Sequence, residues 1–113
     1  MEELFALFDE IGKPYFRQGS LADDAEYPKS FFTFWNLDTP SIAFRDNEER
    51  AYCEVINIYF YTCDATQIYS EMDAFILRAK KAGFIVEGRA YDVPADEANY
   101  FGRAVRLRKI KTT

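Results

Sequence analysis

One short run, Ser30-Phe31-Phe32-Thr33-Phe34-Trp35-Asn36, constrains this chain more than any other. Aromatic and β-branched side chains fit the pleated surface of a sheet. Successive strand residues point to opposite faces. Phe31, Thr33 and Trp35 therefore share one face, and Phe32 and Phe34 share the other. Both faces are rich in apolar side chains. The chain has 113 residues, the size of one ordinary domain. In so small a domain, a strand buried on both sides needs a helix against one face. The other face needs a loop, a partner or a second subunit.

The flanking segments supply such helices. Leu4, Leu7, Phe8 and Ile11 fall at helical spacing, which predicts a helix over 2–11. Glu2 and Glu3 suit its positive end, and Gly12 and Pro14 stop it. Ile68, Met72, Phe75, Ile76 and Ala79 form a second stripe within 64–82. Asp64 and Gln67 form an approximate capping box, and Gly83 ends the helix. Strands are expected at 14–18, 30–36, 50–62, 84–93 and 100–110. The span 17–29 lacks any period and reads as an exposed loop. The stretch from Leu37 to Glu49 reads as a long excursion turning at Asp46-Asn47, and residues 111–113 as a frayed tail. The expected order is α-β-β-β-α-β-β. This is a single α+β domain over 1–113, a mostly antiparallel sheet of four to five strands packed with two helices.

The composition excludes several chemistries. The chain has no histidine, so it holds neither a Ser-His-Asp triad nor an imidazole zinc site. Cys53 and Cys63 lie ten residues apart on one extended segment, which would separate them by ~33 Å. A disulfide needs Cα atoms within ~7 Å, so both are read as buried free thiols. No apolar run approaches the ~18 residues of a membrane helix. The acidic start, Met1-Glu2-Glu3-Leu4, fits neither a secretory signal nor a transit peptide. A cytosolic protein without membrane contact is expected.

Catalytic material is sparse. Asp92, Asp96 and Glu97 in one loop, with Asp38 at a strand end, offer candidate metal or acid–base carboxylates. Acids in such loops more often bond the turning backbone. The glycines are scattered and form no phosphate cradle. No cofactor is expected, and the chain is read as a non-enzyme. Phe31, Phe32, Phe34, Trp35, Tyr59, Phe60 and Tyr61 offer a stacking platform for single-stranded nucleic acid. Asp38, Asp46, Glu54 and Asp64 flank them in sequence and oppose phosphate.

The net charge of −5 conceals a split. Residues 1–77 carry a balance of −10, and residues 78–113 a balance of +5. Acidic groups gather at Asp23, Asp24 and Glu26, and basic groups at Arg103, Arg106 and Arg108. Complementary patches on different surfaces favour head-to-tail contacts, which close into rings when the rotation allows.

Four motifs, taken in order, carry a resemblance. They are Phe31-Phe32-Thr33-Phe34-Trp35-Asn36-Leu37-Asp38-Thr39-Pro40, Ala43-Phe44-Arg45-Asp46-Asn47, Tyr59-Phe60-Tyr61-Thr62, and Gly83 to Val93 with Asp96-Glu97 and Gly102-Arg103 following. Over about residues 14–108 the chain resembles the small tail-completion proteins of siphophages and prophages. These are also termed tail terminators or head–tail joining proteins. One departure is Ala98-Asn99-Tyr100-Phe101, where the resemblance leads one to expect a Thr-His type pair before Gly-Arg.

The resemblance implies a virion structural protein, made in the host cytoplasm and carried at the head-proximal end of the tail. It implies a ring, usually a hexamer, that caps the tail tube and meets the head connector or stopper, with DNA passing through the lumen. Arg103, Arg106 and Arg108 then form one side of a subunit or partner contact. Asp23, Asp24 and Glu26 form the other, with Phe32 and Trp35 as apolar contributors. The alternatives are a small cytosolic protein-binding module and, more distantly, a metal-dependent enzyme using Asp92, Asp96 and Glu97. Reversing Arg106 and Arg108 to Glu is expected to abolish ring formation and tail joining, read by electron microscopy of tails.

Overall fold

The computed structural model describes residues 2–18, 27–45, 48–95 and 98–112. The chain is an α+β fold. Its elements are α1 (Glu2–Ile11), β1 (Tyr15–Arg17), β2 (Ser30–Asp38), β3 (Ser41–Arg45), β4 (Glu48–Thr62), α2 (Ile68–Lys81), β5 (Ile85–Val93) and β6 (Phe101–Thr112). The sheet order is β1-β2-β4-β6-β5, with β3 also on β4. All pairs are antiparallel except β1 with β2.

The sheet has six strands rather than the four or five expected. The added strand is β3. One edge of β4 holds two partners in tandem, β2 along Val55–Thr62 and β3 along Glu48–Tyr52. The break between them is built from side chains. Asn36 Oδ1 accepts from the Asp38 amide at 3.1 Å, and Asp38 Oδ1 accepts from the Thr39 amide at 2.8 Å. Pro40 lacks an N–H, yet its carbonyl accepts from the Cys53 amide at 2.9 Å. The expected excursion is thus a strand resuming on the same edge. The molecule is correspondingly long, 53 × 29 × 23 Å.

Both helices lie on one face of the sheet. Leu4, Leu7 and Phe8 of α1 and Ile68, Met72, Phe75 and Ala79 of α2 meet Phe32, Phe34, Ile56, Ile58, Phe60, Val105 and Leu107. Phe32 sits at the centre, with ring centroids of Phe8, Phe60 and Phe75 at 5.3, 4.8 and 5.0 Å. Each such ring contributes ~1.5–3 kcal/mol through burial. Helix α1 has the expected bounds, and Gly12 follows it with φ +82°.

Several expectations are corrected. Helix α2 starts at Ile68, not Asp64, and the capping box does not form. Asp64 instead accepts from the Thr66 amide and hydroxyl, closing the turn before the helix. The tail at Lys111-Thr112 is not frayed. Both residues pair with β4, opposite Tyr52 and Ala51. Cys63 is exposed, while Cys53 is buried; both are free. Of the span 17–29, Arg17 belongs to β1, and Tyr27 stacks on Phe31 with centroids 5.7 Å apart. Residues 19–26 of that expected loop lie outside the described residues.

Gly102 marks a close approach. A Cβ there would stand 2.9 Å from the Tyr61 ring, the Val93 side chain and the Val93 carbonyl. Gly102→Ala is expected to cost ~1–3 kcal/mol by overpacking. Phe32→Ala is expected to cost ~3–5 kcal/mol by cavity formation. Urea unfolding of the two variants checks both.

Candidate assembly surfaces

Among the described residues no helix lies on the second face of the sheet. Its rows follow from the register. One row reads Phe31–Tyr61–Gly102–Val93, the next Thr33–Tyr59–Ala104–Tyr91, and the next Trp35–Asn57–Arg106–Glu87. Val55, Arg108 and Ile85 follow, then Cys53 and Ile110. One end is partly roofed by the chain itself. Tyr27 and Tyr100 pack on Phe31, whose ring also meets Phe16 and Tyr61. The Tyr100 hydroxyl donates to the Pro28 carbonyl at 2.8 Å, which holds that roof. The other end is open. Trp35, Tyr91, Ile85 and Ile110 are 40 to 51% exposed there. These side chains are spread over β2, β5 and β6, with Asn57, Arg106 and Arg108 between them.

The three arginines do not form one patch. Alternation along β6 sends Arg103 to the helix side and Arg106 and Arg108 to the open side. Arg103 donates to Asp92 Oδ1 at 2.7 Å and to the Ala90 carbonyl at 3.1 Å. Its guanidinium carbon lies 4.8 Å from the centre of the Tyr69 ring, whose hydroxyl also reaches Asp92. Arg103 thus ties α2 to the β5–β6 pair within the chain. Arg108 grips Glu87 with two bonds of 2.9 and 3.2 Å. That grip lowers the Glu87 pKa and raises that of Arg108. Arg106 is exposed, and it donates from Nε to Asn57 Oδ1 at 3.3 Å.

Phe32 is fully buried in the helix-side core, so it is corrected as a contact residue. Trp35 is exposed, with the Arg17 guanidinium 4.8 Å above its ring. Asp23, Asp24 and Glu26 lie outside the described residues, as do Asp46, Asp96 and Glu97. Among the described residues no cluster of three His, Cys, Asp or Glu side chains could hold a metal. Asp92 is engaged by Arg103 and Tyr69. A shallow open groove of about 250 Å³ lies beside them, between the start of α2 and the β5–β6 turn. No described helix is long and apolar enough to cross a membrane.

Two acids set against the stacking platform do not oppose it in space. Glu54 is opposite Lys109, with the parity of Ile56 and the helix side. Asp64 lies beyond the end of β4.

A second exposed surface runs along α2. Its buried stripe faces the sheet, which leaves Asp73 and Leu77 outward, while Tyr69 sits on the flank against Arg103 and Asp92. Tyr69 and Leu77 are 52% and 57% exposed. The sequence signal for these residues was the remainder of the helical pattern. Leu77 falls off the apolar stripe, and Ile110 stands alone among lysines and arginines. No family model matches the chain, and no curated protein matches its sequence.

The Lys111 ammonium bonds Glu3, tying the last strand to the first helix. That bond holds the Glu3 carboxyl down at about 2, and it raises Lys111. A depressed carboxylate stabilises the fold above its ordinary pKa, and the effect disappears as pH falls through the depressed value. Glu3→Gln is therefore expected to lose stability at neutral pH, by less than ~1 kcal/mol because the pair is partly exposed. The loss should shrink between about pH 4.5 and 2. Thermal melts of both proteins across that range check it.

Proposed function

We propose that this chain is a virion structural protein of the tail-completion class. In this reading it forms a ring on the head-proximal end of the tail tube. The ring stops tube growth and presents a docking surface to the head connector, and DNA passes through its lumen. The work is done by surfaces.

The observation that carries the reading is the open half of the sheet. Trp35, Tyr91, Ile85 and Ile110 stay exposed there, whereas the other face carries the core beneath both helices. Aromatic residues and arginine are enriched in the cores of protein interfaces, and lysine is depleted. The charges there include Arg106, the Arg108–Glu87 pair and Arg17 above the Trp35 ring, while Lys109 and Lys111 point to the helix side. The order of the four motifs supports the same class.

The test uses the tail-tube protein encoded in the same genome. Tubes polymerised with the chain present are expected to be capped at one end and to cease growing, as seen by electron microscopy. Tubes that grow unchanged and bind no chain overturn the reading, as does a genome that encodes no tail-tube protein.

A further inference from the structure

We propose that the open sheet face of one copy receives helix α2 of the next, so that copies pack head to tail. This rests on the reading of the chain as a ring subunit. It adds which two surfaces meet.

The domain has two layers, and each outer surface carries exposed apolar side chains. On the sheet side these are Trp35, Tyr91, Ile85 and Ile110. On the helix side they include Leu77 and Tyr69 of α2 and Phe101 of β6. The two surfaces face opposite directions, because α2 packs on the sheet face that the open side turns away from. One molecule cannot bring them together. A two-fold sheet-to-sheet contact would cover only the first. A head-to-tail contact covers both, and it repeats along a line or a ring.

The charges fit the same pairing. Arg106 is central to its row, between Asn57 and Glu87. Among the described residues its one hydrogen bond goes to the Asn57 amide oxygen, and the nearby Glu87 is already gripped by Arg108. Asp73 lies about one turn before Leu77 on the outer side of α2 and is exposed. Seating that ridge on the open face places a carboxylate opposite a guanidinium, with apolar side chains on both sides. Water is then excluded around the ion pair, which favours a bidentate match. Lysines 80 and 81 follow Leu77 by about one turn. They set direction, because reversing the helix would carry them to the opposite end of the seat.

The experiment is a reciprocal charge swap, read by sedimentation at up to millimolar protein. Arg106→Glu and Asp73→Arg are both at exposed positions, and thermal melts confirm that each variant folds. Wild type is expected to self-associate, and each variant alone to associate at least tenfold more weakly. An equimolar mixture of the two variants is expected to recover association, since each now offers the surface that the other needs. Three results overturn the proposal: a wild type that stays monomeric, an Asp73→Arg chain that associates normally, or a mixture that fails to recover. Retention of a fluorescent single-stranded oligonucleotide by wild type but not by Arg106→Glu also overturns it, by assigning the face to nucleic acid. Tube capping that survives both substitutions sinks the docking alone. Self-association that recovers on mixing, without any tube capping, sinks the tail reading alone.

Discussion

A β-sheet buries apolar surface on two faces, whereas two short helices can cover only one. That imbalance organises this protein. Strand β2 carries aromatic residues on both sides, and β4 beside it continues both sets. Helices α1 and α2 close one face around Phe32, Phe60 and Phe75. On the other face, among the described residues, the Tyr27–Phe31–Tyr61–Tyr100 corner is roofed from within the chain. The remainder stays open, and the proposed assembly follows from that exposure.

Charge plays a second, mostly internal part. Arg103, Arg108 and Lys111 all belong to the basic end of the sequence, and each meets an acid within the fold. They tie β6 to β5 and to α1. Exposed pairs of this kind contribute little energy individually. Their use is positional: they fix the long final strand against elements from both ends of the chain. What survives on the open face is narrower than the charge split implied: among the described residues Arg106 bonds Asn57, while Glu87 opposite it is held by Arg108.

Much of this was legible in the residues. The 3.6-residue stripes located both helices, because amphipathic spacing is a local property. Alternation in 30–36 foretold two buried faces. The same alternation separates Arg103 from Arg106 and Arg108, although clustering in sequence suggests a single patch. Strand β3 was hidden because Asn36, Asp38 and Pro40 read as a terminus, and only pairing with β4 turns that terminus into a pause. Lys111 and Thr112 read as a tail because nothing in their own pattern reveals that β4 extends far enough to pair with them.

The sequence by itself determined the class of fold, the two helices, the aromatic core strand and the absence of imidazole chemistry. These depend on residue type and short-range period. Tertiary structure alone decided which aromatic face would be covered, which arginines would be consumed by acids from distant segments, and where apolar surface would remain. The physical reason is that burial and ion pairing are settled by long-range neighbours. Glu87 finds Arg108 across 21 positions, and Glu3 finds Lys111 across 108. No local pattern carries that information.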